Sequence, residues 1–294
     1  MEIVIIGGGE MGQALAGVLR QAKDAAVHVW DIRPEVSDAQ SKEELMAAAE
    51  AMFLCIPSAA VRETMQAIAQ HHKQQPIVIS LAKGIEEGSL KTMDEIVGET
   101  QDASHVALLG GPMLAEEIVL GQPAVGVLAA NKETFDRLQP LFAGSNIRLE
   151  YAADVHSVAL AGVLKNIYTL IIACAAALRL GDNYNGWLLA LSCQEMAGIM
   201  QALGADGAAA YAAAGLGDLI ATSSSPYSKN HQAGIEIAKL GESSITSEGL
   251  RSLPRMISLL GDKADQFPVL KALENIIINK ASAQKELREL LGKA

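Results

Sequence analysis

The stretch Glu2-Ile3-Val4-Ile5-Ile6-Gly7-Gly8-Gly9-Glu10-Met11-Gly12 decides the fold. An apolar, β-branched run bounded by glycine reads as a buried strand. Gly12–Ala22, which follows, has a helical pattern. Gly7, Gly9 and Gly12 therefore occupy the three positions of G-x-G-x-x-G in a strand–turn–helix context. The first glycine permits the tight turn, the second lets backbone approach a pyrophosphate, and the third lets helix and strand pack closely. With Glu10 and Met11 at the helix start, free N–H groups point at the phosphates. Asp31 ends the second strand, at the ~20-residue spacing expected of the acid that bonds a ribose 2′-hydroxyl. A tight turn with an ordinary capping Asp is the plainer alternative. Arg33 leaves the cofactor open: NAD is favoured by Asp31, while a guanidinium two residues on suits the 2′-phosphate of NADP.

Further along, short strand-like runs alternate with helical ones. Val27–Asp31, Met52–Ile56, Ile77–Ser80, Val106–Leu109 and Ala124–Leu128 read as strands, with Arg148–Tyr151 as a last one. Ala59–His71 and Lys42–Ala49 read as helices between them. This alternation predicts an α/β fold, a doubly wound, mostly parallel sheet of Rossmann type. From Asp154 long Ala/Leu-rich stretches take over: Val155–Leu180, Tyr184–Leu203, Ala205–Ala213, Ser228–Lys239, Leu250–Leu260, Val269–Ile277 and Ser282–Leu291. The expected organisation is a dinucleotide-binding domain over 1–152 and an all-α substrate-binding domain over 153–294.

Composition agrees. Of 294 residues, 50% are hydrophobic and 19% charged, which excludes a disordered tail. A net charge of −11 argues against nucleic-acid binding, though local lysines can still receive a small anionic substrate. The three cysteines, Cys55, Cys174 and Cys193, form no C-x-x-C pair and no metal-ligand spacing. No metal is expected, and a reducing compartment is the simplest reading. The apolar run Ile167–Leu178 falls short of the ~20 residues of a membrane span. The start is too short and too soon glycine-rich for a signal peptide. A soluble, cytoplasmic protein is the expectation. The apolar helices suit a homodimer as well as an internal core.

Three lysines stand out. Lys83, after the fourth strand, lies at the carboxyl edge of the sheet, where such sheets bind ligands. Gly84 beside it permits an unusual turn. Lys165 and Asn166 interrupt the almost wholly apolar stretch Val158–Tyr168. A buried ammonium costs several kcal/mol unless partnered, so Lys165 is well paired, or poised for proton transfer, or snorkels to water. Asp218 and Thr222, four apart, share a helix face, and Asp218 can partner Lys165 or simply cap a helix. Ser228-Lys229-Asn230 before a helix suits an anion.

In these residues the chain resembles the NAD(P)-dependent glycerol-3-phosphate dehydrogenase family. The resemblance runs through the glycine loop, Ser80–Glu86, Gly111–Glu117, Leu164–Tyr168, Gly215–Thr222, Ser228–Asn230 and Glu248-Gly249, in that order. It implies reduction of dihydroxyacetone phosphate to glycerol 3-phosphate. Lys165 would be the general acid, Lys83 would orient or polarise the carbonyl oxygen, and Asp218 would pair with Lys165. Asn166 and Thr222 would line the pocket, Lys229 and Asn230 would hold the phosphate, and Glu248 would lie on the cofactor side. Two departures bear on the substrate. Lys229 stands where the family usually has Arg, and the region from Asp31 to Ser58 is abbreviated. A pyrroline-5-carboxylate reductase-like imine reductase shares the compact first domain but not Gly111-Pro112-Met113 or Lys165-Asn166. A non-catalytic dinucleotide-binding regulator is the alternative outside enzymes.

Overall fold

Aliphatic residues fill Ile3–Ile6 without a polar face, as in a parallel strand covered on both sides. In the computed structural model, which describes residues 1–38, 41–72 and 75–292, they belong to β1 (Glu2–Ile6). The strands that follow are β2 (Ala26–Trp30), β3 (Ala51–Leu54), β4 (Ile77–Ser80), β5 (Val106–Gly110), β6 (Ala124–Ala129) and β7 (Ile147–Ala152). Their order across the sheet is β2-β1-β3-β4-β5-β6-β7. All pairings are parallel except β5 with β6. Around the sheet lie α1 (Glu10–Leu19), α2 (Lys42–Ala48), α3 (Val61–His71), α4 (Met93–Gly98), α5 (Ala115–Val119) and α6 (Lys132–Leu138).

The pleat divides each strand between two apolar layers. Ile3, Ile5, Ala51, Phe53, Ile77 and Ile79 join one core cluster. Their neighbours Val4, Ile6, Met52, Leu54 and Val78 join the other. Strand order reverses at β1, whose neighbours are β2 and β3, so the crevice for a ligand opens at the carboxyl ends of these strands.

The second half is helical: α7 (Val155–Ala177), α8 (Asp182–Ala202), α9 (Asp218–Ser224), α10 (Lys229–Leu240), α11 (Glu248–Leu260), α12 (Pro268–Ile277) and α13 (Ala283–Leu290). The chain divides into two compact units, Met1–Lys83 with Lys91–Ala159, and Gly84–Leu90 with Leu160–Ala294. Helix α7 is long and apolar enough to cross a membrane by length and composition alone. Its most apolar stretch is wholly buried in protein, as in a core helix.

Two local expectations are corrected. Ala205–Ala213 is not an α-helix but a 3-10 turn, Gly207–Tyr211, followed by a π-helical turn, Ala213–Gly217. Asp206 caps the first by accepting from Ala208 N–H, and Gly215 lies so close to the preceding turn that a Cβ would sit 2.3 Å from the Ala210 carbonyl oxygen. Gly84 does not carry a positive φ; the left-handed residues of that segment are Gly88 and Leu90.

Candidate active site

The glycine loop performs its three tasks separately. Gly7 has φ +104°, and a Cβ there would lie 2.3 Å from the Cys55 carbonyl oxygen after β3. At Gly12 a Cβ would lie 1.9 Å from the Gly7 carbonyl oxygen, so only glycine lets α1 pack on the turn. At Gly9 a Cβ would meet nothing within 4 Å, which leaves this backbone open to a ligand. Glu10 and Met11 are the first residues of α1, where N–H groups lack intrahelical acceptors.

Asp31, just past β2, ties the loop down. Its Oδ2 accepts from Gly8 N–H at 2.6 Å. Its Oδ1 accepts from the Arg33 N–H and Nε, each at 2.9 Å, and Arg33 Nη2 reaches Oδ2 at 3.1 Å. The Arg33 guanidinium holds the Asp31 carboxyl down at about 2. A cavity of about 610 Å³ opens here, lined among others by Gly7, Gly9, Asp31, Arg33, Cys55 and Pro57. That volume lies within the few hundred to ~1,000 Å³ typical of cofactor sites. Open backbone at Gly9, a helix start behind it and a carboxylate at the next strand end fit the pyrophosphate and ribose of a nicotinamide dinucleotide. Burial pushes the Cys55 thiol up to about 12, so it is not a thiolate near neutral pH.

In the second unit Lys165 is paired. Its side chain is buried, and Nζ donates to Asp218 Oδ1 at 3.0 Å and to Thr222 Oγ1 at 2.6 Å. The Thr222 hydroxyl donates in turn to the same Asp218 oxygen at 3.0 Å. Asp218 opens α9 directly after the π-helical turn, and Thr222 lies one helical turn further on. Three residues, each at most 6% exposed, thus form a triangle of hydrogen bonds around one ammonium. A buried charge is tolerable when a counter-charge and hydrogen bonds meet it, as here.

The next residue of α7 joins a second cluster. Asn166 Oδ1 accepts from Asn230 Nδ2 at 2.9 Å, and Asn230 Oδ1 accepts from Gly249 N–H at 2.9 Å. Ser228 caps α10 by accepting from His231 N–H, which places Asn230 in the first turn. Two glycines allow the close helix approach. A Cβ at Gly234 of α10 would lie 2.4 Å from the Leu170 carbonyl oxygen, and one at Gly249 of α11 would lie 2.3 Å from that of Asn166.

Lys229 begins α10 with an exposed side chain. Glu248 begins α11, where its Oε1 lies 3.9 Å from Arg251 Nη1. Lys83 follows β4 and is half-buried. The segment after it is held within the second unit by Arg255 of α11, which donates to the Ile85 carbonyl at 2.7 Å and to Glu87 at 2.9 Å.

Sequence reasoning missed Arg255 and Glu195, and it quoted Gly249 without giving it a role. Glu195 of α8 is buried and accepts from Tyr168 Oη at 2.8 Å, Val269 N–H at 2.6 Å and Leu270 N–H at 3.0 Å. Burial raises its pKa and these three donors oppose the rise. The available signal was a lone glutamate in the apolar half of α8; nothing in the spacing named its partners.

A glycine-cradled parallel sheet joined to a helical unit with a buried, acid-held lysine is the build of a nicotinamide-dependent dehydrogenase. Residues 154–288 match the C-terminal part, and residues 35–136 the N-terminal part, of NAD-dependent glycerol-3-phosphate dehydrogenase. A glycerol-3-phosphate dehydrogenase (NAD(P)+) of Thermobifida fusca is 30% identical, covering 92% of this chain and 91% of the relative. One from Sphingopyxis alaskensis is 28% identical over 99% of this chain and 96% of its own. In fold the chain is similar to the crystal structure of glycerol-3-phosphate dehydrogenase from Coxiella burnetii, with a TM-score of 0.85 and 24% identity over 99% of this chain and 98% of that one. The chain belongs to the NAD-dependent glycerol-3-phosphate dehydrogenase family, a family of oxidoreductases.

Proposed function

We propose that the protein reduces dihydroxyacetone phosphate to sn-glycerol 3-phosphate, with the first unit binding the dinucleotide and the second the substrate. The observation that carries this reading is the Lys165 ammonium held by Asp218 and Thr222, beside the Asn166–Asn230 pair. When bound, the nicotinamide supplies hydride to the ketone carbon. As hydride arrives, negative charge grows on the carbonyl oxygen, and a preorganised cation there stabilises it. Lys165 Nζ delivers the proton to that oxygen, which completes the alcohol. Asp218 and Thr222 keep the ammonium charged and aimed, and Lys83 polarises the same oxygen. Lys229 and the Asn230 amide hold the phosphate. Lysine at 229 does so as a point charge without the bidentate fork of arginine. On the dinucleotide, the glycine loop with Glu10 and Met11 takes the pyrophosphate, Asp31 takes the ribose, and Glu248 adds a further contact.

Three unbridged cysteines support a cytoplasmic setting, and the apolar helices of the second unit are consistent with a homodimer. The deciding assay follows nicotinamide absorbance with NADH or NADPH and a panel of phosphorylated ketones. Turnover with dihydroxyacetone phosphate is expected. Turnover only of pyrroline carboxylate, or dinucleotide binding without any turnover, overturns the proposal.

A further inference from the structure

Backbone N–H groups only donate, and this gives the Asn166–Asn230–Gly249 chain a direction that side-chain amides alone would leave open. Gly249 N–H requires an acceptor, so the Asn230 atom at 2.9 Å is Oδ1. The other end of that amide is then Nδ2, which only donates, so the Asn166 atom at 2.9 Å is Oδ1 as well. What remains of Asn166 is its NH2. Among the described residues no acceptor is bonded to it, and while the residue as a whole is 5% exposed, this nitrogen is not among the buried unpartnered atoms.

We propose that Gly249 is a positioning residue that sets the hydrogen-bonding polarity of the substrate pocket. Through Asn230 it compels Asn166 to present donors, so the ligand atom at that place is an oxygen acceptor of a phosphate, carbonyl or hydroxyl group, not an ammonium or amide N–H. The inference rests on the reading that Asn166 faces the substrate. Gly249 serves twice. Its N–H orients the chain, and its missing Cβ lets α11 come against the Asn166 carbonyl, where a methyl would lie 2.3 Å away.

The test reverses the chain with an isosteric change. In Asn230→Asp, one carboxylate oxygen still accepts from Gly249, and the other can no longer donate. Asn166 then turns its NH2 toward residue 230 and offers Oδ1 to the pocket. In protein with 15N-labelled asparagine, hydrogen exchange of the Asn166 side-chain amide, assigned by its loss in Asn166→Asp, is expected to slow at least ~10-fold in Asn230→Asp. Unchanged exchange overturns the relay, and this readout needs neither substrate nor turnover. In parallel, the KM for dihydroxyacetone phosphate should rise at least ~30-fold while the Kd for NADH stays within about twofold. An unchanged KM overturns the role in substrate binding. Gly249→Ala should raise the KM similarly if its thermal melt shows it folded. If wild-type protein turns over no phosphorylated ketone, the functional reading fails, and amide exchange still decides the relay.

Discussion

In the first unit the proposed cofactor cradle is six neighbouring residues, Gly7 to Gly12, offering their backbone. In the second, Lys165 meets Thr222 across 57 positions of chain, and Asn166 meets Asn230 across 64, working through side chains. A backbone cradle demands residues that lack something, a Cβ or a donor acceptor clash, and so it leaves a mark in local spacing. A side-chain cluster demands residues that possess something, and any helix of the right face can supply them. The first kind is thus open to reading along the chain, and the second waits on packing.

The contrast breaks most severely if the regions cannot be disabled separately. Lys165→Ala should lower kcat by ~10³-fold or more, with NADH affinity by fluorescence titration almost unchanged. A parallel loss of NADH affinity would show that the two regions are one site energetically. Conversely, Gly12→Val should cost about 10²-fold in dinucleotide affinity, because the new Cβ strikes the Gly7 carbonyl and moves the helix start. Retained affinity would mean that the turn tolerates a side chain.

Glu195→Ala sharpens the comparison within the second unit. It strands two buried N–H groups and a tyrosine hydroxyl, and should destabilise by about 3 kcal/mol in thermal or urea unfolding. Turnover of the folded fraction at low temperature should persist. A selective loss of kcat with unchanged stability would move Glu195 into the chemistry.

Smaller effects follow in the first unit and at the phosphate. The Asp31 carboxyl sits at about 2, below its ordinary 3.8, so its contribution to stability is present above pH 4 and lost as pH falls toward 2. Asp31→Asn should remove that acid-side leg of the stability profile and weaken NADH binding about tenfold. An unaltered acid profile would detach Asp31 from the loop. The smallest change is Lys229→Arg, expected to lower the KM for a phosphorylated ketone by about threefold through a bidentate contact. An unchanged KM would remove position 229 from the phosphate site.

How far the molecule is legible in one dimension differs by element. The continuous apolar run Ile3 to Ile6 and the glycine spacing point to the parallel sheet and its crevice, and the structure carries both. The pairing of Lys165 with Asp218 was one of several open options, since an apolar helix says that a lysine needs a partner without saying which. Ala205–Ala213 invites a helical reading because Ala-rich stretches have helical propensity throughout, whereas the structure has a 3-10 turn and then a π turn in which Gly215 lies against the Ala209 and Ala210 carbonyls.

Spacing and periodicity suffice for the α/β sheet followed by helices, for the dinucleotide crevice and for the residues that carry charge into the helical half, because each rests on neighbours within a few positions. The polarity of Asn166, the triangle around Lys165 and the Glu195 anchor are settled in three dimensions, because hydrogen bonds in a buried cluster are assigned by which helices pack together and how closely glycine lets them approach.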